Sequence, residues 1–69
     1  MPYYYVNKNA QPNGDHEVHE KNNCPNPPNF ENRKDLGWHV DCHSAVREAK
    51  KTYKQSNGCE DCCKPCHTT

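Results

Sequence analysis

Apolar and polar residues alternate in short bursts along this chain, and turn-forming residues bound each burst. Tyr3–Asn7 (YYYVN) is aromatic and β-branched and predicts a strand. Pro12 and the Asn13-Gly14 pair follow as a strong short-range turn signal. In DHEVHE, His16 and Val18 fall on one side and Glu17 and His19 on the other, so a β-hairpin is expected whose second strand ends near His19. NNCPNPPNFENRKD has no usable period. Pro25, Pro27 and Pro28 remove backbone donors and the Asn residues favour turns, which predicts an irregular loop tied down at its start by Cys24. LGWHVDC sets Trp38, Val40 and Cys42 against His39 and Asp41, and this alternation predicts a third short strand.

HSAVREAKKTYKQSNG carries the clearest helical signal. Ser44 is a good N-cap residue, with Arg47 rather than Glu three positions on, so the reciprocal capping box is absent. Ala45, Val46, Ala49 and Tyr53 form one apolar stripe at helical spacing. Lys50, Lys51 and Lys54 crowd the last turns, where the helix dipole favours cations, and Asn57-Gly58 is a natural stop. On this reading the helix delivers Cys59 directly after its end.

Composition turns these elements into a stability problem. Of 69 residues 30% are hydrophobic, and six of those are cysteines; Leu36 is the only leucine and isoleucine is absent. A chain this short forms one domain, residues 1–69, and buries only about 60% of its unfolded surface. A further constraint is needed, and six cysteines with five histidines are its source. The N-terminal MPYYYVNKNAQPNGD has no basic region, apolar run or small-residue cleavage site, so a cytoplasmic, reducing location is expected and metal is favoured over disulfides. No run approaches the roughly 20 apolar residues of a membrane span, and no membrane partner is expected. Zero formal net charge argues against a protein built mainly to grip phosphate backbones.

The last thirteen residues, NGCEDCCKPCHTT, hold four of the cysteines in two CxxC units. Two intervening residues let both thiolates reach one ion from a tight turn, and a tetrahedral site needs a second pair from elsewhere. HEVHEKNNC supplies it, so His19, Cys24, Cys59 and Cys62 are the expected Zn²⁺ ligands, with Cys66, His67 and Cys42 as alternates. Cys42 reads otherwise as a small buried hydrophobe on the core face of the third strand. For His16, His39 and His43 an exposed or core role is expected.

Competing chemistries fit less well. CKPCH matches the haem-attachment string, but haem needs an apolar pocket and usually a distal ligand, and Met1 is the only methionine; no haem is expected. CKPC lacks the βαβ surroundings of a thioredoxin-like pair. HEVH is one residue short of the zinc-protease string and lies on a strand. The spacing of Cys59, Cys62 and Cys66 misses the ferredoxin run.

YYVN, NGDHEVH with the following Cys24, CxxAVxEAKKxY and NGCxxC…CHT together resemble a family of small bacterial proteins. That resemblance covers almost the whole chain and implies a shared domain but no activity. In layout alone, a His before a Cys, then a strand, an alanine-bearing helix and a CxxC, the chain is similar to the zinc domain of methylphosphotriester DNA-repair proteins, where a zinc-bound thiolate accepts a methyl group. The matching positions are His19, Cys24, Cys59 and Cys62. The arginine-rich surroundings of that family's CxxC are replaced here by Glu60 and Asp61, which repel phosphate.

The expected fold is α+β: a three-stranded antiparallel sheet with one C-terminal helix, closed by zinc. The expected function is a zinc-stabilised binding or interaction module for a protein partner rather than an enzyme, because a closed four-ligand site leaves no position for substrate. Two alternatives stand beside it. Cys63 and Cys66 would form a redox or alkyl-accepting pair activated by Lys64. Arg47, Lys50, Lys51 and Lys54, with Trp38 or Tyr3–Tyr5, would bind single-stranded nucleic acid along one helix face.

Overall fold

The structure, a computed structural model, describes residues 3–24 and 28–67. Four strands form one mixed sheet, β1 (Tyr3–Asn7), β2 (His16–Glu20), β3 (Arg33–Trp38) and β4 (Ser56–Gly58), in the order β3-β1-β2-β4. A single helix among the described residues, α1 (Cys42–Ala49), lies between β3 and β4 in sequence, and 3₁₀ turns occupy Phe30–Asn32 and Lys64–Cys66. The α+β class therefore holds. The sheet has four strands rather than three, it is mixed rather than antiparallel, and the helix is not C-terminal.

The hairpin forms as its pattern predicts. β1 and β2 pair antiparallel through Tyr4↔Glu20, Tyr5↔His19 and Val6↔Val18. Asn13 and Gly14 lie in the connection, with Gly14 at φ +94° and its N–H donating to the Gln11 carbonyl at 2.8 Å. The period of two then sorts side chains. Tyr4, Val6 and Val18 pack with Ala45 and Ala49 of α1, while Tyr5 and His19 stack on the other face with ring centroids 5.3 Å apart.

The third strand begins earlier than its alternation suggests. Arg33, Lys34 and Asp35, read from sequence as irregular loop, pair with Asn7, Val6 and Tyr5, whereas Val40 is exposed and Cys42 opens the helix. Charged residues suit this strand because it is an outer edge of the sheet, where they discourage pairing with other chains. Leu36 is the extra residue at a bulge opposite Tyr4 and Tyr5, and Gly37 beside it takes φ +80°, a conformation that favours glycine. Pro25 and Pro27, part of the expected loop, lie outside the described residues.

The helix starts and stops before its expected bounds. Asp41, not Ser44, is the N-cap, and its carboxylate accepts the Ser44 N–H at 3.1 Å. At the other end, the Ala49 carbonyl accepts from Thr52 and Tyr53, which closes the last turn. Beyond it the chain is recruited to the sheet. Buried Asp15 accepts from Gln55 Nε2 at 2.9 Å and from Asn57 Nδ2 at 3.4 Å, and the His16 N–H donates to the Gln55 carbonyl. Ser56–Gly58 then runs parallel to β2 through His16↔Ser56, Glu17↔Asn57 and Val18↔Gly58. The pair expected to end a helix is thus part of a strand, and Lys50, Lys51 and Lys54 lie beyond the helix instead of extending a basic stripe along it. Lys51 is paired with Glu48 at 3.2 Å.

The core on the helix side is small: Tyr4, Val6, Val18, Ala45 and Ala49, completed by Cys42, Cys63 and Cys66. Cys42 and Cys66 are joined in a disulfide. Cys42 is therefore neither a free thiol nor a strand residue, as the sequence had suggested. Closing a loop of 24 residues' separation contributes about 3.5 kcal/mol in a chain-entropy account.

Of the three glycines, Gly58 has the least room. A Cβ there would lie 2.6 Å from Cys66 Cβ and 2.8 Å from the Cys63 carbonyl oxygen, because the C-terminal turn folds directly over β4. Gly58→Ala is expected to destabilise the fold by about 1–3 kcal/mol through overpacking, read from the midpoint of denaturant unfolding.

Candidate metal centre

On the sheet face opposite α1, two chain segments bring four donor atoms together. His19 projects from β2, and Cys24 returns to it through a turn in which Asn22 takes φ 67° and the Asn23 N–H donates to the Glu20 carbonyl. Asn tolerates that left-handed conformation better than most residues. The second segment continues the ladder past β4: the Cys59 N–H donates to the Val18 carbonyl at 2.9 Å, which fixes Cys59 next to His19. A tight turn follows, closed by the Cys63 N–H on the Cys59 carbonyl, and it swings Cys62 back.

The donor atoms of His19, Cys24, Cys59 and Cys62 all lie within 4.8 Å of one another. His19 Nδ1 is 3.2 Å from Cys24 Sγ and 3.8 Å from Cys62 Sγ, and Cys24 Sγ is 3.7 Å from Cys59 Sγ. Metal–sulfur bonds of about 2.3 Å and metal–nitrogen bonds of about 2.0 Å at tetrahedral angles put donors roughly 3.5–3.8 Å apart. The group is placed to hold a metal ion.

Its surroundings suit that role. The Glu20 and Asp61 N–H groups each donate to a sulfur, Cys62 and Cys59 respectively, at 3.4 Å. The outer nitrogen of His19, Nε2, lies 3.7 Å from the Glu17 carboxylate, the partner that commonly orients a ligating imidazole. The inner face of the imidazole is covered by Tyr5, over which the Arg33 guanidinium sits 4.7 Å from the ring centroid.

Burial governs the protonation of these groups. Desolvation, reinforced by the Arg33 charge, lowers the His19 pKa to about 4, so the imidazole is neutral at pH 7, the form that binds metal. Burial also raises the thiol pKa of Cys59 and Cys62, and neighbouring sulfurs add to the effect. A dication held by these sulfurs would reverse this balance, because an opposite charge favours the thiolate form.

The alternates stand elsewhere. Cys42 and Cys66 are bonded to each other, and His67 Nδ1 lies 3.1 Å from the Gly58 carbonyl oxygen, with Nε2 4.0 Å from Glu60. Cys63 is buried on the helix side, and desolvation pushes its thiol up to about 11, the opposite of the activation expected from Lys64. The structure therefore does not bring Cys63 and Cys66 together as a free thiol pair. His16 stacks on Tyr53, and His39 bridges the Ser44 hydroxyl and the Leu36 carbonyl; both are structural. Sequence reasoning missed Glu17, Tyr5 and Arg33 as supports of the cluster. Only Glu17 left a trace, as a carboxylate two residues from a candidate ligand on the same strand face.

Among the described residues, no helix is long and apolar enough to cross a membrane. Compared with protein-family models, with curated proteins and with solved structures, the chain matches none.

Proposed function

We propose that this protein is a zinc-stabilised interaction module, in which a Cys₃His site of His19, Cys24, Cys59 and Cys62 clamps the β1–β2 hairpin to the C-terminal turn. The observation that carries this reading is the grouping of four donors, all within 4.8 Å of one another, drawn from two segments. Three sulfurs and one imidazole suit zinc better than magnesium or calcium, which take oxygen donors. Four protein ligands close the coordination sphere, so the ion's role is structural and the reaction-bearing fourth position of a hydrolytic zinc is missing. Zinc-binding energies of roughly 10–16 kcal/mol in small peptides exceed what a core of five aliphatic and aromatic residues supplies. The partner is a protein bound by the outer surface of the clamped fold, where Tyr3, Phe30, Trp38 and Val40 are exposed.

Native mass spectrometry of protein purified without added metal is expected to show one zinc per chain. Removing it with a chelator is expected to collapse the dispersion of the amide NMR spectrum, and an apo protein that keeps its dispersion overturns the proposal.

The orienting carboxylate gives a milder test. Glu17→Gln is expected to weaken zinc binding about 10–100-fold in chelator competition while the zinc-loaded protein stays folded.

The pH dependence follows from the thiols. Cys59 and Cys62 have pKa values raised above the ordinary thiol value, so both are protonated at pH 7 without metal, and zinc must displace their protons. His19, with a pKa of about 4, holds no proton to displace at that pH. Zinc affinity is therefore expected to fall by at least roughly a hundredfold for each pH unit between 8 and 6, tenfold per displaced proton, as read by chelator competition.

A further inference from the structure

On the helix side of the sheet, a second group of donors surrounds the disulfide. Cys42 is the first residue of α1 and Cys66 ends the 3₁₀ turn that packs against it. A ring nitrogen of His43 and the two sulfurs all lie within 4.8 Å of one another. His43 and Cys66 line an open cleft of about 340 Å³, whose other walls include Arg47, Lys50, Ser56 and Asn57 and no carboxylate. The other four histidines each have a ring-nitrogen partner, whereas His43 has none among the described residues.

We propose that the Cys42–Cys66 disulfide is the oxidised form of a second, redox-gated metal site. When the S–S bond is reduced, Cys42, Cys66 and His43 hold a divalent ion of the zinc or cobalt type, with its fourth position open to the cleft. Two thiolates and an imidazole are the donor set that such ions favour over magnesium or calcium. Cys42 stands at a helix N-terminus, where the dipole favours the thiolate. Two thiolates cancel the charge of the ion, so Arg47 and Lys50 do not oppose it. Instead they select for an anionic fourth ligand, such as hydroxide or a carboxylate.

The chemistry balances with a water-soluble phosphine as reductant. Phosphorus gives two electrons to the S–S bond, which breaks; water supplies oxygen to the phosphine oxide and one proton to each sulfur. The ion then displaces both thiol protons into solvent as two metal–sulfur bonds form, and a ring nitrogen of His43 contributes the third bond. The helix start and the C-terminal turn stay cross-linked in both states, by sulfur–sulfur in one and through the metal in the other.

The test is a Co²⁺ titration of the oxidised and the phosphine-reduced protein, followed by ion count and by near-ultraviolet thiolate-to-cobalt absorption. The reduced protein is expected to bind one more Co²⁺ per chain than the oxidised one. Because this is a difference, it reads the same whether or not the His19 site is filled. Cys42→Ser with Cys66→Ser is expected to abolish the additional ion. His43→Ala alters an exposed side chain and leaves the disulfide in place. It is expected to weaken the additional ion at least about tenfold, while the count in the oxidised state stays unchanged. Equal ion counts in the two redox states, or an increment that survives the double serine variant, would overturn the proposal.

Discussion

Three residues of β4 laid parallel to β2 hold this molecule's organisation together. The ladder His16↔Ser56, Glu17↔Asn57, Val18↔Gly58 continues into the Cys59 N–H on the Val18 carbonyl, and that last bond sets Cys59 beside His19. From there the chain turns over Gly58, at a distance no Cβ would allow, and returns Cys62 to one face of the sheet and Cys66 to the other. Such a short parallel pairing is weak on its own. It is held by the network around buried Asp15, which collects Gln55 and Asn57 side-chain donors onto the end of the hairpin loop. Hydrogen bonds to a buried carboxylate are among the stronger ones a protein makes, and here they fix the one register that lets sulfur reach both faces.

The sheet divides its sulfur and imidazole groups between those faces. On the helix side, Val6, Val18, Ala45 and Ala49 leave gaps that Cys42, Cys63 and Cys66 fill as small apolar groups. On the other side there is little apolar layer beyond Tyr5, and His19, Cys24, Cys59 and Cys62 occupy the place of a second core. A chain with so few aliphatic residues cannot cover two sheet faces by hydrophobic burial alone. Sulfur and imidazole close what leucine would close in a longer protein.

Much of this was legible in the sequence where the signal was local. The hairpin shows in the alternation of YYYVN and DHEVHE around Asn13-Gly14, and the apolar stripe of Ala45, Val46 and Ala49 marks the helix. The bounds of β3 and α1 were not legible, because Trp38, Val40 and Cys42 mimic a strand while Asp41 is an equally good cap three residues before Ser44. β4 was hidden for a different reason. SNG has almost no strand propensity, and its conformation is imposed by Asp15 and by the open edge of β2, both more than thirty-five residues away in sequence. The proximity of His19 and Cys24 to Cys59 and Cys62 could be inferred from ligand spacing alone. The Cys42–Cys66 bond could not, since it depends on the turn that β4 positions.

The Cys/His cluster and the disulfide differ in the state of their sulfurs. The three cysteines of the Cys/His cluster are free thiols, whereas Cys42 and Cys66 are oxidised, and Cys62 of the cluster packs against the edge of the core that holds the disulfide. Cys63 lies next to Cys62 in sequence and within the core that holds the Cys42–Cys66 bond. Burial raises its thiol to about 11, so at neutral pH it is almost wholly protonated and a poor nucleophile toward the disulfide. Thiolate attack by Cys63 on the disulfide is thereby slowed. Of the two bonded cysteines, Cys66 lines the cleft beside His43 and Arg47, and Cys42 is buried behind it at the start of α1.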